Sequence, residues 1–494
     1  MNYELLNYLK SPSNQDWLWC WNQDSNQELN NHNYSNRRLE QIIEAKVAQI
    51  SLVAKCSHKP AIFIVETKPI NFIAGFLAAI ITEVDVFLGD PAWQIREWQQ
   101  VLNLVQPDLI FGDDTITSKL QSLRVKLTSR QENAADLNTK AKFFPQPLIM
   151  IPTGGTAGKI KFAMHSWQTL TASVNGFKNF FDCQNINSVC TLPLYHVSGL
   201  MQLMRSLLTQ GNLIICPYQL IAKQLNNLNK SAYFISLVPT QLQFLLQSTP
   251  NCLKEFKTVL VGGAPPRRSL LNTAREYNIP IALTYGMTET ASGVVALKFK
   301  DFLAGNNSSG QVLPHAQIEI NQTAISTAKQ LQLENPKSSQ DQTGLIQINS
   351  TALCWGYYPE VFPAQKFITD DVGYFDREGY LHLLGRNSQK IITGGENVFP
   401  AEVEAAIYAT NLVKDICVIG IADQKWGQAV TAMYVPLKSA DDLNLIKHSL
   451  RSQLAKYKQP KHWLKVNNIP RNDRGKVNYQ QLRAIALQII SRTK

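Results

Sequence analysis

The hydrophobic pattern from about residue 147 onward repeats one unit, in which a short apolar run ends in a Gly- or Pro-rich turn and a helical pattern follows. Three such runs cover residues 148–151, 259–261 and 281–283. Strands whose carboxyl ends open into special loops are typical of an α/β sheet with a ligand crevice at that edge. We therefore expect the three loops to converge in space.

The first 140 residues are rich in Asn and Gln and contain no loop of this kind. Their apolar pattern predicts strands at 61–65 and 84–88, joined by a helix over 70–81. The longest uncharged apolar run, 72–81, is far shorter than the roughly 20 residues that cross a bilayer, so it predicts a buried helix. We expect this part to complete the large domain without supplying chemistry. The polar stretch 321–343 predicts a surface loop.

A second change of pattern falls near residue 386. The predicted elements beyond it are a helix over 402–409, strands at 416–421 and 431–437, and a helix over 443–456. About a hundred residues of this kind are enough for a separate α+β domain. The predicted fold class is α/β, with a large multi-sheet N-terminal domain (1–385) and a small mobile α+β C-terminal domain (386–494).

Composition limits the class of protein. The 494 residues are 45% hydrophobic and 17% charged, which excludes an intrinsically disordered chain. A formal net charge of +11 admits nucleic acid, membrane surfaces and anionic small molecules as partners. The first six residues lack a basic segment followed by an apolar one, so we expect no secretory signal. Eight scattered cysteines without a Cys-x-x-Cys pair predict neither a disulfide framework nor a zinc site, and they favour a cytoplasmic location.

Residues 152–161 are the most informative segment and read Pro-Thr-Gly-Gly-Thr-Ala-Gly-Lys-Ile-Lys. Glycines let backbone N–H groups turn inward around an anion, while the threonines add hydroxyls and the lysines add positive charge. The segment is not a Walker A loop, because Ile160 stands where Ser or Thr is needed. It predicts a phosphate-binding loop, with an ordinary flexible turn as the alternative. The candidate phosphate-binding residues are Thr153, Gly154, Gly155, Thr156, Gly158 and Lys159.

Two further segments carry polar groups suited to a nucleotide. Residues 284–290 read Thr-Tyr-Gly-Met-Thr-Glu-Thr and place an aromatic ring, a hydroxyl and a carboxylate at one strand end. Mg²⁺ prefers one or two carboxylates together with substrate phosphates, so Glu289 is a candidate ligand. Asp371, in a Thr-Asp-Asp-Val-Gly-Tyr segment that resembles a turn, suits two ribose hydroxyls, and Arg386 offers a cation to the same nucleotide. A solvated turn is the alternative in both places.

A basic tail near the C-terminus contains the segment 470–477, which reads Pro-Arg-Asn-Asp-Arg-Gly-Lys-Val. Lys476, preceded by Gly475, is suited to neutralise charge at an attacked phosphorus. A charged, solvated surface is the alternative.

These motifs, in this order, resemble the adenylate-forming superfamily of acyl-CoA ligases, luciferases and peptide-synthetase adenylation domains, over about residues 147–485. Residues 394–404, Gly-Gly-Glu-Asn-Val-Phe-Pro-Ala-Glu-Val-Glu, are similar to the acyl-CoA ligase branch. With residues 192–199, Leu-Pro-Leu-Tyr-His-Val-Ser-Gly, the chain most resembles the o-succinylbenzoate–CoA ligases of menaquinone and phylloquinone biosynthesis.

The resemblance implies ATP, Mg²⁺ and coenzyme A as cofactors and co-substrates, and two half-reactions at one site. A carboxylate attacks the α-phosphorus of ATP and expels pyrophosphate, and the thiol of coenzyme A then attacks the acyl-adenylate and expels AMP. A carboxylate is already a nucleophile at neutral pH, so positioning and charge neutralisation are expected to dominate. A small-domain rotation about Ser388 separates the steps in the superfamily; many relatives have Asp or Lys at that position.

The resemblance also implies residue roles. Lys476 bridges the α-phosphate and the attacking carboxylate, Thr288 contacts the α-phosphate, and Glu289 holds Mg²⁺. Thr153 and Thr156 hold phosphate, and Asp371 holds the ribose with help from Arg386. The residues expected to enclose adenine are Gly262, Gly263, Ala264, Pro265, Tyr285 and Gly286. Gly394 and Gly395 are expected to line the pantetheine passage.

One feature bears on the acyl group. Arg205 lies seven residues after Ser198, on the same face of a helix predicted over 200–208. An arginine in an apolar pocket suits the unreacted carboxylate of a dicarboxylate such as o-succinylbenzoate. The alternative is an arginine that reaches solvent. His196 and Ser198 are expected to line the acyl-binding wall.

Three departures from the superfamily pattern stand out: a phosphate loop with few hydroxyls, Asp370 where Gly is common, and Ser388 itself. A medium-chain or aryl acyl-CoA ligase is an alternative that shares every catalytic residue. A nucleic-acid-binding protein is supported by charge alone. The expected partners are therefore a small carboxylate, ATP and coenzyme A, with no nucleic acid and no integral membrane segment.

Overall fold

The computed structural model describes residues 17–21, 32–33, 36–55, 59–128, 144, 146–154, 159–322, 343–363, 366–437, 443–471 and 477–493. The helices in this part are α1 (Asn36–Ala54), α2 (Pro69–Ile81), α3 (Ile95–Leu104), α4 (Asp114–Thr128), α5 (Trp167–Phe180), α6 (Val197–Leu208), α7 (Ile221–Gln224), α8 (Pro239–Ser248), α9 (Pro250–Lys254), α10 (Arg268–Glu276), α11 (Phe299–Leu303), α12 (Pro400–Ala409), α13 (Leu443–Arg451) and α14 (Tyr479–Thr493). Short 3₁₀ turns cover Tyr218–Leu220, Lys230–Ala232, Thr288–Thr290 and Asn387–Gln389.

The strands in the described part are β1 (Leu18–Cys20), β2 (His32–Asn33), β3 (Ala61–Val65), β4 (Asp85–Leu88), β5 (Leu109–Gly112), β6 (Ile149–Gly154), β7 (Ile160–His165), β8 (Asn187–Cys190), β9 (Leu213–Ile215), β10 (Tyr233–Leu237), β11 (Thr258–Val261), β12 (Ile281–Met287), β13 (Ser292–Leu297), β14 (Gln311–Val312), β15 (Ala316–Asn321), β16 (Gly344–Ser350), β17 (Gly356–Tyr357), β18 (Glu360–Val361), β19 (Lys366–Phe375), β20 (Leu381–Arg386), β21 (Ile391–Thr393), β22 (Glu396–Val398), β23 (Val413–Asp423), β24 (Gly427–Pro436) and β25 (His462–Lys465). They form four sheets, and the mixed α/β, multi-sheet class expected from the sequence is confirmed.

A seven-stranded sheet in the order β18-β17-β7-β6-β4-β3-β5 combines five strands from residues 61–165 with the short strands β17 and β18. The predicted strands at 61–65 and 84–88 are β3 and β4, and the predicted helix over 70–81 is α2, which buries ten of its residues. Strand β4 runs parallel to β6, with Val86 opposite Ile149. Strands β3, β4 and β5 thus share a sheet with β6, the strand that leads into the predicted phosphate loop.

Strand β6 does not stop where the sequence predicts a loop. It pairs antiparallel with β7 as far as Gly154 opposite Ile160, so Thr153 and Gly154 are strand residues. Because cross-strand pairing holds this hairpin up to its tip, residues 155–158 are left to connect the strands, and these lie outside the described residues.

A nine-stranded sheet in the order β14-β13-β12-β11-β10-β8-β9-β1-β2 holds the other two predicted apolar runs. Strands β10, β11 and β12 run parallel, and β13 turns back antiparallel to β12. The three runs therefore belong to two sheets, and the expectation of one sheet for them is wrong. Their ends still converge, because β6 and β7 lie against the 3₁₀ turn Thr288–Thr290 that follows β12.

A four-stranded antiparallel sheet in the order β15-β16-β19-β20 carries the segment 369–374. The alternative of a solvated turn is excluded there, because these residues lie inside the ten-residue strand β19. Asp371 stands opposite Arg386 on β20. The strand register brings these two candidate nucleotide residues together.

The fourth sheet belongs to the C-terminal part, in the order β22-β21-β24-β23, with β25 pairing parallel to β24. The predicted helix over 402–409 and the strands at 416–421 and 431–437 are α12, β23 and β24, while the predicted helix over 443–456 already ends at Arg451 in α13. The turn Asn387–Gln389 joins β20 of one sheet to β21 of the other. A domain boundary at 386 stays a prediction.

Each part has an apolar core of its own. One core packs α1 and α2 against α6, and another fills the C-terminal part with residues of α12, β23 and β24. In the described residues no helix is both long enough and apolar enough to span a membrane. The predicted surface loop 321–343 lies almost entirely outside the described residues.

Candidate functional site

The turn Thr288–Thr290 carries the candidate metal ligand. Glu289 is buried, with 8% of its surface exposed, and its Oε1 accepts a 2.5 Å hydrogen bond from the hydroxyl of Tyr357. Lys161, on the hairpin of the predicted phosphate loop, places its ammonium 4.5 Å from the centre of the Tyr357 ring. Lys161, Tyr357 and Glu289 therefore connect two of the loops that the sequence pattern expects to converge.

His165 holds the same turn in place through a contact with its backbone. It ends β7, is fully buried, and places Nε2 2.7 Å from the carbonyl oxygen of Thr288. Its Nδ1 lies 3.0 Å from the hydroxyl of Thr169. Burial lowers the pKa of His165 to about 4, so the ring is neutral near pH 7, Nε2–H donates to Thr288, and Nδ1 accepts from Thr169. Thr288 itself remains half-buried.

Both supporting residues escape sequence reasoning. His165 and Tyr357 lie 123 and 68 positions from the residues that they hold. A single histidine at a strand end and a single tyrosine after a glycine are each commonplace. Only the three-dimensional arrangement identifies them as supports of the Thr288–Glu289 pair.

The Glu289 carboxylate fits a magnesium ion held mainly by substrate phosphates. Tyr357 occupies Oε1, and the described residues give Oε2 no hydrogen-bond donor. Within the described ranges, no group of three or more His, Cys, Asp or Glu side chains is placed to hold a metal. One carboxylate is enough for Mg²⁺ when phosphate oxygens and waters supply the other positions.

Tyr285, Asp371 and Arg386 form a second polar group. The hydroxyl of Tyr285 donates to Asp371 Oδ2 at 2.9 Å, and Arg386 Nε lies 3.4 Å from Asp371 Oδ1. Burial, and then the nearby Asp371 carboxylate, raise the pKa of Tyr285 well above its usual 10, which keeps the phenol protonated. Most of the Tyr285 ring packs in an apolar core, so its assigned role as an adenine-stacking surface stays a prediction.

The loop 262–265 follows β11 and lies next to the strand of Tyr285. A Cβ atom on Gly262 would lie 2.3 Å from the hydroxyl oxygen of Thr284 and 3.1 Å from its carbonyl oxygen, so a larger residue would require one of the two segments to shift. Gly263 has a φ of +79°, whereas Ala264 and Pro265 are exposed. The loop thus lies against Thr284, the residue before Tyr285, and its role in enclosing adenine stays a prediction.

Arg205 lies in the interior of the protein. It is 6% exposed, so the alternative of an arginine that reaches solvent is excluded. Its guanidinium carbon lies 4.0 Å from the centre of the Phe177 ring, and Nη2 donates a 3.3 Å hydrogen bond to the hydroxyl of Ser292. Ser292 is three positions after Glu289, so the guanidinium reaches the hairpin that carries the candidate catalytic turn.

The charge of Arg205 is poorly compensated. No acidic side chain in the described part forms an ion pair with it, and its Nε has no hydrogen-bond partner there. Burial lowers the pKa of Arg205 to about 10, which leaves it protonated at pH 7. Both ring nitrogens of His315 are buried nearby and also lack partners among the described residues. Burial and Arg205 lower the pKa of His315 to about 4, so this ring is neutral.

His196 and Ser198 stand at the start of α6, and both are half-buried. The centre of the His196 ring lies 4.7 Å from that of Tyr195, and the carbonyl of Ser198 accepts a 3.0 Å hydrogen bond from Gln202. The helix predicted over 200–208 is confirmed as α6, but the roles of these two residues in binding the acyl group stay predictions.

Two of the departures noted in the sequence contact each other. Asp370 Oδ1 accepts a 3.0 Å hydrogen bond from the backbone N–H of Ser388, and Asp370 Oδ2 accepts a second, short one from the Ser388 hydroxyl. Asp370 therefore holds the first turn of the segment that leads into the C-terminal part. Gly394 and Gly395 form the β21–β22 turn, with φ values of +60° and +85°.

Four candidate residues lie outside the described residues: Gly155, Thr156, Gly158 and Lys476. The neighbours of the first three are described: Thr153 on β6, and Lys159, which is exposed just before β7. Arg471 and Val477, on either side of residues 472–476, pair as an isolated antiparallel bridge. The chain therefore enters and leaves the lysine segment at one point.

Comparison with known protein families identifies the class of protein to which this arrangement of residues belongs. Residues 37–358 match the AMP-binding enzyme family, and residues 402–476 match the AMP-binding enzyme C-terminal domain. The chain therefore belongs to the AMP-binding enzyme family, as the resemblance in the sequence predicts.

The relatives and solved structures described below all carry the name of a succinylbenzoate–CoA ligase or synthetase. The chain is 30% identical to the 2-succinylbenzoate–CoA ligase of Oceanobacillus iheyensis over 369 residues, which cover 71% of this chain and 73% of that protein. It is 34% identical to the same-named protein of Enterococcus faecalis over 340 residues, or 66% and 67% of the two chains. Its fold matches o-succinylbenzoate CoA synthetase from Bacillus subtilis in complex with the acyl-adenylate intermediate, with a TM-score of 0.79, 23% identity and 97% of both chains covered. The same enzyme in complex with ATP and a magnesium ion gives a TM-score of 0.78 at 23% identity, with 97% of this chain and 98% of that chain covered.

Proposed function

We propose that this protein is an AMP-forming acid–thiol ligase that converts o-succinylbenzoate, ATP and coenzyme A to o-succinylbenzoyl-CoA, AMP and pyrophosphate. The buried, uncompensated guanidinium of Arg205 is the observation that carries the choice of substrate. The names of the relatives point to the same substrate, and the bound ligands of the Bacillus subtilis enzyme are those expected for the first half-reaction.

The charge of Arg205 favours an acyl substrate with two carboxylates. A buried guanidinium without an anion is costly, and a ligand carboxylate that pairs with it removes this cost. o-Succinylbenzoate brings two carboxylates, of which one reacts with ATP and the other remains to pair with Arg205. A medium-chain fatty acid or a simple benzoate has no second carboxylate, so the buried guanidinium of Arg205 favours the dicarboxylate over these alternatives.

In the first half-reaction the protein positions charges. Lys476 neutralises charge between the α-phosphate and the attacking carboxylate oxygen, and Thr288 donates to the α-phosphate from a turn that His165 fixes. Mg²⁺, when bound, supplies charge neutralisation at the phosphates, and Glu289, oriented by Tyr357, would hold it. Thr153, Thr156 and the glycines of the loop surround the phosphates, while Asp371 and Arg386 hold the ribose.

In the second half-reaction the thiol of coenzyme A replaces AMP on the acyl carbon. We infer that residues 386–494 move as a small domain about Ser388 between the steps, which withdraws Lys476. The movement brings Gly394 and Gly395 towards the pantetheine passage, where missing side chains allow a close approach. The chain passes from one part to the other through the short turn Asn387–Gln389, which supports this inference.

The cellular setting follows from the substrates. ATP and coenzyme A are cytoplasmic metabolites, and the seven cysteines in the described part are all free. We infer a cytoplasmic enzyme that works on small anions, for which a positively charged protein is suited.

The test is carboxylate-dependent ATP–pyrophosphate exchange, measured with o-succinylbenzoate, benzoates and fatty acids. We expect exchange with o-succinylbenzoate to exceed exchange with the others. Arg205→Leu is expected to lower kcat/KM for o-succinylbenzoate on the order of 100-fold, because a charge-assisted pair is lost, and to change that for benzoate by less than about threefold.

Two variants serve as controls. Arg205→Lys keeps the charge and should retain part of the preference for the dicarboxylate. Arg275→Leu removes a guanidinium that donates to the carbonyl oxygens of Phe302 and Asn306, away from Arg205, and should leave the preference unchanged. Robust exchange with fatty acids and none with o-succinylbenzoate would overturn the proposed substrate, and an unchanged preference in Arg205→Leu would remove Arg205 from the site.

A further inference from the structure

The carboxylate of Asp415, in the C-terminal part, accepts hydrogen bonds from three other side chains. Arg267 Nη2 lies 2.8 Å from its Oδ1, Arg471 Nη2 lies 3.0 and 3.2 Å from its two oxygens, and the hydroxyl of Tyr408 lies 2.6 Å from Oδ1. The side chains of both arginines are 32% exposed and that of Asp415 is 21% exposed, so the group is partly shielded from water.

Arg267 reaches this carboxylate from the other part of the molecule. It directly follows the loop 262–266 and immediately precedes α10. Besides binding Asp415, it donates to the carbonyl oxygen of Lys414 at 3.1 Å, and its guanidinium carbon lies 4.1 Å from the centre of the Tyr408 ring. One side chain next to the predicted adenine loop thus makes three contacts with the C-terminal part.

Arg471 connects Asp415 to the lysine segment. Its backbone bridges to Val477, and the N–H of Asn478 donates to the carbonyl oxygen of Pro470 at 2.8 Å. These backbone contacts close the base of the segment 472–476, which contains Lys476. A side chain that fixes Arg471 therefore also fixes the point at which the lysine segment leaves the domain.

We propose that Asp415 is a positioning residue for adenylate formation, joining Arg267 beside the nucleotide loop to Arg471 at the base of the lysine segment. This inference rests on the proposed function. Charge-assisted hydrogen bonds of this kind are among the stronger polar contacts, and Asp415 also separates two guanidinium groups that would otherwise repel each other.

The contacts differ in what a movement of the C-terminal part does to them. Tyr408, Asp415 and Arg471 all lie beyond residue 386 and would move together. The Arg267–Asp415 contact spans the two parts and must break when they rotate apart. We assign the observed arrangement to the first half-reaction, so the Arg267–Asp415 contact favours that step and makes no contribution to the second.

The experiment measures the two half-reactions separately in the full-length enzyme. Adenylation is followed by rapid-quench release of pyrophosphate with o-succinylbenzoate and ATP, and thioester formation is followed with added o-succinylbenzoyl-adenylate and coenzyme A. Arg267→Gln should lower the adenylation rate about tenfold, since a charge-assisted pair is lost, while thioester formation stays within about twofold of the unmodified enzyme. Asp415→Asn should lower adenylation further, because it also weakens the charged contact to Arg471.

Three variants keep the test decisive. Arg268→Gln removes the same charge from the adjacent exposed position and should leave both rates unchanged. Arg267→Lys retains a cation and should recover at least part of the adenylation rate, and it replaces Arg267→Gln if that variant is poorly folded by thermal unfolding. Asp415→Glu keeps the carboxylate and should be closer to the unmodified enzyme than Asp415→Asn.

The outcomes separate this inference from the proposed function. If the unmodified enzyme releases no pyrophosphate in response to o-succinylbenzoate, the proposed function is wrong. An active unmodified enzyme in which Arg267→Gln leaves adenylation intact, or slows both half-reactions equally, would overturn the role of Asp415.

Discussion

At the scale of single residues, the candidate site depends on side chains that do not react. His165 fixes the backbone of Thr288, and Tyr357 fixes the carboxylate of Glu289. Each support is buried or half-buried and holds its partner through one short hydrogen bond. Because these groups are already held in place, less conformational entropy is lost when the substrate binds than if a mobile turn had to become ordered.

The buried His165 gives a stability prediction. Its pKa is lowered from 6.5 to about 4, so the unfolded chain binds a proton more readily between these values. The contribution of the neutral His165 ring to the free energy of unfolding is fully present above pH 6.5 and is lost as the pH falls towards 4. When the pH falls from 7 to 4.5, the unmodified protein should therefore lose roughly 2 kcal/mol more of its free energy of unfolding than His165→Gln loses. Urea unfolding at the two pH values measures this, and an equal decrease in both proteins would contradict it.

At the scale of elements, the fit between α5 and the turn before β15 shapes the surroundings of Arg205. Gly176 in α5 faces the ring of His315, and a Cβ atom there would lie 1.8 Å from Nδ1. No rotation of a methyl group relieves such a contact, so the helix can lie this close only with glycine at that position.

Gly176→Ala should therefore push the His315 ring away from α5 and disturb Arg205. Overpacking of this kind is expected to lower the free energy of unfolding by about 1–3 kcal/mol. It should raise the KM for o-succinylbenzoate while the KM for ATP changes little, because the nucleotide residues lie on other elements. Steady-state kinetics with each substrate varied in turn would show this, and equal changes in both KM values would contradict it.

The elements also show how far sequence reasoning reaches. Helix α2 and strands β3 and β4 match their predicted positions to within a residue, because their apolar periodicity is local. The assignment of β6 to a different sheet from β11 and β12 depends on pairing between distant segments, which periodicity does not encode. The same reason explains why motif order reveals the family, whereas the supports of Thr288 and Glu289 appear only in the structure.

At the scale of the whole molecule, the two parts are joined by the turn at residues 387–389 and by the Arg267 contacts. A lysine on the C-terminal part is required in the first half-reaction alone if that part changes position between the steps. Lys476→Ala should then abolish adenylation, with at least about a 100-fold loss, and largely spare thioester formation from preformed acyl-adenylate. A rapid-quench comparison measures both steps, and equal losses would exclude domain alternation.

The pair formed by Asp370 and Ser388 makes two neighbouring departures from the superfamily pattern interdependent. Replacing Ser388 alone with aspartate would bring two carboxylates together, at a cost in electrostatic repulsion. Replacing Asp370 alone with glycine would leave the backbone N–H and hydroxyl of Ser388 without their acceptor. A substitution at either position therefore has to be matched by one at the other, so residues 370 and 388 act as a coupled pair at the entry to the C-terminal part.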